Sequence, residues 1–272
     1  MIQDSRRLRF VYRMALDFSQ PVQKHQFALR MIPQSDERQQ ITSCNVKLEP
    51  ACSLTEDTDT FGNRYVYGEI IHPHTTFCVE VCGAAEVSSK ALSLCDKPRM
   101  ALAPFRYMSQ YTKAGACLKR YHESHGQKED EQPYAYCIRL LHQIYEDMTY
   151  VQGVTDIHTT AEEALAGGRG VCQDYAHIMI ALCRMAGIPS RYVVGMMQGE
   201  GCSHAWVEVC TEGVWHGMDP TNNKFVDDSY IKISHGRDYQ DCIVNRGTFL
   251  GNGTQMQTVC VRVDNDPVQT NL

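Results

Sequence analysis

The chain has 272 residues, 43% hydrophobic and 21% charged, with a mean hydropathy of −0.36, the profile of a globular protein rather than a disordered, fibrous or membrane one. At about 100–200 residues per domain, that length holds one large domain or two ordinary ones. A net charge of −6, a sequence pI near 6.0 and no Lys/Arg cluster longer than a pair exclude the electrostatic footprint of a nucleic-acid binder.

The first hundred residues carry as many basic as acidic side chains, so the negative charge falls on the rest of the chain. Apolar runs such as 178–183 (IMIALC) fall far short of the ~20 residues that span a bilayer, so no membrane partner is expected. The N-terminal MIQDSRRLRFVY lacks an apolar stretch followed by a small-residue cleavage site, and the mature chain is expected to begin near Met1. Thirteen cysteines is an odd number, and they are scattered through segments that read as strands and helices. That usage fits a reducing cytoplasm, with about ten of the thiols acting as small core hydrophobes. Cys78 and Cys82 share one face of a strand, but no second pair or histidine completes a zinc set. No acidic loop has calcium-binding spacing either, so neither a metal nor a cofactor is expected.

In chain order, the first hundred residues read as β-structure. Runs rich in β-branched and aromatic residues cover 8–18, 26–32, 41–49, 63–71 and 75–87, separated by breakers at 19–21, 32–34, 56–59, 61–63 and 72–74. That rhythm predicts an antiparallel β-sandwich over 1–100. Beyond Pro98 the period moves from 2 towards 3.6. Residues 122–132 read as an exposed loop, and 133–150 as a helix opened by Pro133 with Ile138, Leu141, Ile144, Tyr145 and Met148 on one stripe. Thr160 and Glu163 form a capping box before a short helix stopped at Gly167-Gly168. A third helix spans 171–186 and ends at Gly187, and strands follow at 190–197, 204–210, 214–218 and 259–263. The whole is α+β, with a catalytic-type domain of helices packed on an antiparallel sheet over 101–272.

The chemistry concentrates at Gly167-Gly168-Arg169-Gly170-Val171-Cys172-Gln173-Asp174. A glycine-rich turn delivers Cys172 to the first turn of a helix, where free N–H groups and the helix dipole favour an anion and therefore a thiolate nucleophile. A nucleophile needs a base and the base an orienter. His204 opens the strand HAWVEVC, and Asp219 ends the next strand of the same tight hairpin, which places both at one end of it. His177 and His216 fit structural roles, and His72, His74 and His158 read as loop residues. Another arrangement would gather Cys172, Cys202, His204 and His177 around zinc.

Residues 159–222 resemble the core of the transglutaminase-like superfamily, in its bacterial branch with an N-terminal β-sandwich. The matching pieces are TDIHTTAEEALAGGRGVCQDYAHIMIALCRMAGIPSRYVVG, HAWVEV and GMDPTNN, in that order and spacing. Thr60-Phe61-Gly62-Asn63-Arg64 and Gly236-Arg237-Asp238-Tyr239 match further elements. The resemblance implies a papain-like core in which Cys172 attacks an amide carbonyl, His204 is base and then acid, and Asp219 orients His204. It implies a peptide or amide-containing substrate processed by hydrolysis or acyl transfer. Tyr150 resembles an upstream aromatic position that helps the Cys172 N–H hold the oxyanion. The competing reading is a catalytically silent binding module that retains the fold.

Overall fold

The computed structural model describes residues 5–93 and 99–266. Cys95 lies outside them. The strands of the N-terminal half are β1 (Ser5–Leu29), β2 (Gln39–Glu49), β3 (Thr55–Thr58), β4 (Arg64–Ile70), β5 (His74–Ser88) and the two-residue β6 (Leu92–Ser93). β1 runs through the expected break at 19–21: its first half pairs with β5, and its second half turns to pair with β4. The ladder slips between Asp17 and Val22, and Lys24 takes φ 49°, so one strand serves two halves of a curled sheet. The halves face each other, with the Phe27 ring 4.7 Å from that of Phe77. The alternating burial of β1 from Leu8 to Leu16 places Phe10, Tyr12 and Met14 inside, as a period of two requires. β3 went unseen in the sequence because all four of its residues are exposed on an edge.

Four helices follow: α1 (Ala116–His125), α2 (Pro133–Asp147), α3 (Ala161–Gly167) and α4 (Cys172–Met185). α1 takes in residues 122–125, which the sequence assigned to a loop. Its helical signal is weak because Leu118 alone is buried and its N-cap residue, Gly115, has no side chain to cap the start. Glu162 of α3 supplies that cap from a distance, accepting from the N–H groups of Gly115, Cys117 and Leu118 at 2.6–3.0 Å. α3 has the expected capping box, and Gly168 closes it at φ 64°. α4 is buried on nearly every side between α2, α3 and a second sheet.

The later strands are β7 (Thr149–Tyr150), β8 (Arg169–Gly170), β9 (Ser190–Met197), β10 (Gly199–Gly201), β11 (His204–Thr211), β12 (Val214–Asp219), β13 (Lys224–Phe225), β14 (Tyr230–Gly236), β15 (Asn245–Leu250) and β16 (Gln255–Asn265). The second sheet has the order β13-β12-β11-β9-β14, with β6 paired to β12. The β11–β12 hairpin turns on Glu212 (φ 52°) and Gly213 (φ 78°), which matches the two-residue turn with both central residues left-handed. Strands from beyond residue 100 join the N-terminal sheet: β15 pairs with β1, and β16 pairs with β1 along Leu8–Phe18. The last described strands thus complete the N-terminal sheet, because an edge of β1 left open would expose a long row of unpaired backbone groups. The fold is α+β, with helices packed on an antiparallel sheet.

Candidate active site

β8 leads into α4 through Val171, an extended N-cap, so Cys172 is the first helical residue. A β carbon at Gly170 would stand 2.4 Å from the Asp174 carboxylate, so glycine is required there. Asp174, three residues into the turn, accepts from the Val171 N–H (2.7 Å) and the Thr155 hydroxyl (2.7 Å), tying the loop 151–159 to the nucleophile's turn. Burial pushes the Asp174 carboxyl up against those hydrogen bonds.

His204 opens β11 opposite Gly195 of β9. A β carbon at Gly195 would come 2.4 Å from the Trp206 ring and 2.2 Å from the Ile231 carbonyl, so this glycine makes room for the indole. Trp206 is fully buried, lies near-parallel to His204 at 6.5 Å and meets the edge of Tyr230 at 5.4 Å. Asp219 ends β12 with no exposed surface, and its Oδ2 accepts from His204 Nε2 (2.7 Å), Asn222 Nδ2 (2.7 Å) and the Tyr230 hydroxyl (2.8 Å). Its Oδ1 accepts from the N–H groups of Thr221 (3.0 Å) and Asn222 (3.2 Å).

With Nε2 taken by Asp219, the Nδ1 side of His204 is left for the Cys172 thiol, which interacts with the imidazole. Burial disfavours a charge on His204, but the hydrogen bonds to Asp219 and Cys172 and their negative charge override it and hold the imidazolium up to about 10. Burial also disfavours the Asp219 carboxylate, yet His204, Asn222 and Tyr230 hold it below the usual carboxylate range. Cys172, His204 and Asp219, separated by up to 47 positions in the chain, therefore form one interacting row, His204 bonded to Asp219 and coupled to Cys172.

Tyr150 lies half-exposed on β7, whose parallel pairing sets it opposite Gly170, two residues before Cys172. Its hydroxyl is not among the groups bonded to the row. The zinc arrangement is not assembled. Cys202 is exposed with its thiol towards the Val259 carbonyl, and His177 is buried between the rings of Tyr111 and Tyr192, its Nε2 accepting from the Tyr239 N–H. Burial and Arg184 push His177 down to about 3. Among the described residues no group of three His, Cys, Asp or Glu side chains is placed to hold a metal. His74 is no loop residue: it opens β5, buried, with Nε2 3.2 Å from His25 Nδ1. Only four of the twelve described cysteines are buried, since those of β2 and β5 sit on the outer face of the curled sheet.

Asn222, Tyr230, Trp206 and Gly195 escaped the sequence reading as site residues. Asn222 carried a signal, three residues after Asp219 in a turn where an amide side chain can fold back. Tyr230 and Gly195 carried none, because β14 and β9 bring them to the site only through the sheet. The Phe61-Gly62-Asn63 and Gly236–Tyr239 elements prove to be clamps. Asn63 donates to the His235 carbonyl (2.7 Å) and accepts from its N–H (2.8 Å), holding the N-terminal sheet to β14. Arg184 of α4 donates to the Arg237 carbonyl at 2.6 Å.

This combination, a cysteine at a helix start facing a strand-borne His–Asp pair on an antiparallel sheet, defines a thiol-site protein of α+β architecture. Sequence profiles agree: residues 122–220 match the transglutaminase-like superfamily and residues 8–86 match the bacterial transglutaminase-like N-terminal region. The chain belongs to the transglutaminase-like superfamily, with a transglutaminase-like core behind the bacterial N-terminal region. It is 28% identical to an uncharacterized protein of Mycobacterium leprae over 94% of this chain and 98% of that one. An uncharacterized protein of Mycobacterium tuberculosis is also 28% identical, over 88% of this chain and 86% of that one. The fold is shared with a candidate cysteine protease from Cytophaga hutchinsonii, at a TM-score of 0.79 and 22% identity, covering 99% of this chain and 93% of that chain.

Proposed function

We propose that the protein is a cysteine-nucleophile enzyme that cleaves amide or peptide bonds through a thioester. The observation that carries this reading is the row Cys172–His204–Asp219, in which Asp219 binds Nε2 and so leaves Nδ1 for the thiol that interacts with the ring. With the thiol proton held on His204, the Cys172 thiolate adds to the substrate carbonyl carbon. The oxyanion is held by the Cys172 N–H, which as the first of the helix has no intrahelical acceptor, and Tyr150 is our proposal for the second donor. As the C–N bond breaks, His204 Nδ1–H gives its proton to the departing amine. His204 then takes a proton from water or an amine, which attacks the thioester and frees Cys172. We assign hydrolysis as the default because water is always present.

The test is a screen of peptides and amides with wild type and Cys172→Ala in parallel. Turnover should vanish in the variant while the Kd for the same substrate stays within about threefold, since binding and bond-breaking contribute separately. Mass spectrometry after a stoichiometric thiol-directed acylating probe should place the adduct on Cys172. Near-wild-type turnover in Cys172→Ala, or a wild type that binds substrates without ever acylating, sinks the reading. The latter result would favour a silent binding module. We further propose a reducing compartment, supported by twelve described cysteines that are all free thiols. Recovery of the chain from an oxidising compartment on cell fractionation contradicts that.

A further inference from the structure

Away from Cys172, a cavity of about 850 Å³ opens where the second half of β1 meets β15 and β16, closed on another side by Ile157 and Tyr239. That size suits a small organic molecule. Leu16, Phe27 and Phe249 give it apolar walls, and Arg246 is the one charged residue of its lining.

His25 lines the cavity and is 1% exposed. Its hydrogen bonding can be followed outward from His74. The His74 Nδ1 lies 3.0 Å from the His72 carbonyl, an acceptor only, so that nitrogen carries a proton. In the uncharged pair His74 Nε2 is then a lone pair, and His25 Nδ1 donates to it across 3.2 Å. His25 Nε2 is left as a bare acceptor. Burial, with His74 beside it, pushes His25 down to about 4, so it stays uncharged near neutral pH.

Nε2 is the atom turned towards Gly247 of the lining, where a β carbon would stand 3.2 Å from it and 2.8 Å from the Gln26 carbonyl. Close approach of β15 to β1 thus demands glycine, and glycine leaves Nε2 uncovered. Among the described residues Nε2 has no partner. A second acceptor in the same lining, Asn245 Oδ1, is buried without a partner. A buried acceptor that lacks a donor costs free energy unless one arrives from outside, and Nε2 faces the same cavity with its lone pair free. Arg246 is exposed and donates through Nη2 to the carbonyl and Oε1 of Gln240, which leaves its remaining N–H groups for an anion.

We propose that this cavity is a binding site for a small organic carboxylate with an apolar body and a hydroxyl or amide N–H donor: the donor meets His25 Nε2, the body packs on Phe27 and Phe249, and the carboxylate meets Arg246. The site stands independently of the thiol chemistry.

The probe is 3-(4-hydroxyphenyl)propionate, titrated into the full chain by calorimetry beside 3-phenylpropionate, which lacks the donor. The hydroxylated acid should bind saturably and about fivefold or more tightly than its analogue, a net hydrogen bond's worth. Arg246→Gln, at an exposed side chain, should weaken both acids alike by about fivefold. His25→Phe should erase the preference between them. Because that variant can fail to fold, histidine-labelled wild type is also followed by NMR, where the hydroxylated acid should shift the His25 Nε2 resonance and the phenyl acid should not. Equal affinity for the two acids, an unmoved His25 Nε2, or no saturable binding overturns the proposal.

Discussion

At Asp219 five hydrogen bonds converge on one buried carboxylate, and their sum decides the charge state of the site. His204 is raised from its usual 6.5 to about 10, so the stabilisation it lends is fully present below about 6.5 and is lost as pH climbs towards 10. Under the proposed mechanism the alkaline limb of kcat/KM should lie near pH 10. Asp219→Asn removes the negative charge and the tautomer lock, so that limb should move to lower pH and kcat should fall by about 10³–10⁴, as in other triads. A well-folded Asp219→Asn variant with an unmoved limb would take Asp219 out of the mechanism. Cys172, half-buried and facing an imidazolium, should also be alkylated first under limiting iodoacetamide. Peptide mapping checks this, and first labelling at exposed Cys202 or Cys260 would count against the helix-start argument.

Among the elements, β9, β11 and β14 are joined by a buried charge row as well as by their ladders. Glu208 lies between Arg191 (2.5 Å) and Lys232 (2.8 Å), and Arg191 stacks on the Trp215 ring at 4.1 Å. Burial opposes the Glu208 charge, but the two cations hold its carboxyl down to about 2. Its contribution to stability is therefore present above about 4.5 and is lost as pH falls towards 2. Lys232→Met leaves Glu208 buried with one partner and should cost about 3–5 kcal/mol in urea unfolding near pH 7. A loss below about 1 kcal/mol would mean that Arg191 suffices. Gly195→Ala belongs to the same sheet: the added carbon meets the Ile231 backbone and the Trp206 ring, so β9 must shift. Stability should drop by about 1–3 kcal/mol, the usual cost of overpacking, with tryptophan fluorescence reporting the displaced indole.

Across the whole molecule, the N-terminal sheet and the site-bearing sheet are bound by backbone-like amide clamps. Gln39 accepts from the Lys232 N–H and donates to the Lys232 carbonyl, both at 2.8 Å, as Asn63 does with His235. Together with β15 and β16 returning to β1, these clamps make the halves interdependent. A chain beginning at residue 101 should therefore lack a cooperative unfolding transition, because β15 and β16 lose the strand they pair with. A truncated chain that unfolds cooperatively would show that the return of these strands is dispensable.

The sequence by itself determined what is local. The period of two along β1, the capping box at Thr160, the glycine stop at Gly187 and the glycine-rich approach to Cys172 each encode their element within a few residues, through backbone sterics and side-chain spacing. The order of Cys172, His204 and Asp219 was legible for the same reason, since a helix start and one hairpin carry all three. The tertiary structure decided what depends on partners distant in the chain: the union of β1 with β16, the capping of α1 by Glu162, the burial of His74 against His25, and the arrival of Tyr230 on Asp219. No spacing announces these, because a strand edge, a free N–H or a buried carboxylate states only that a partner is needed. Which residue answers is settled when the sheets close.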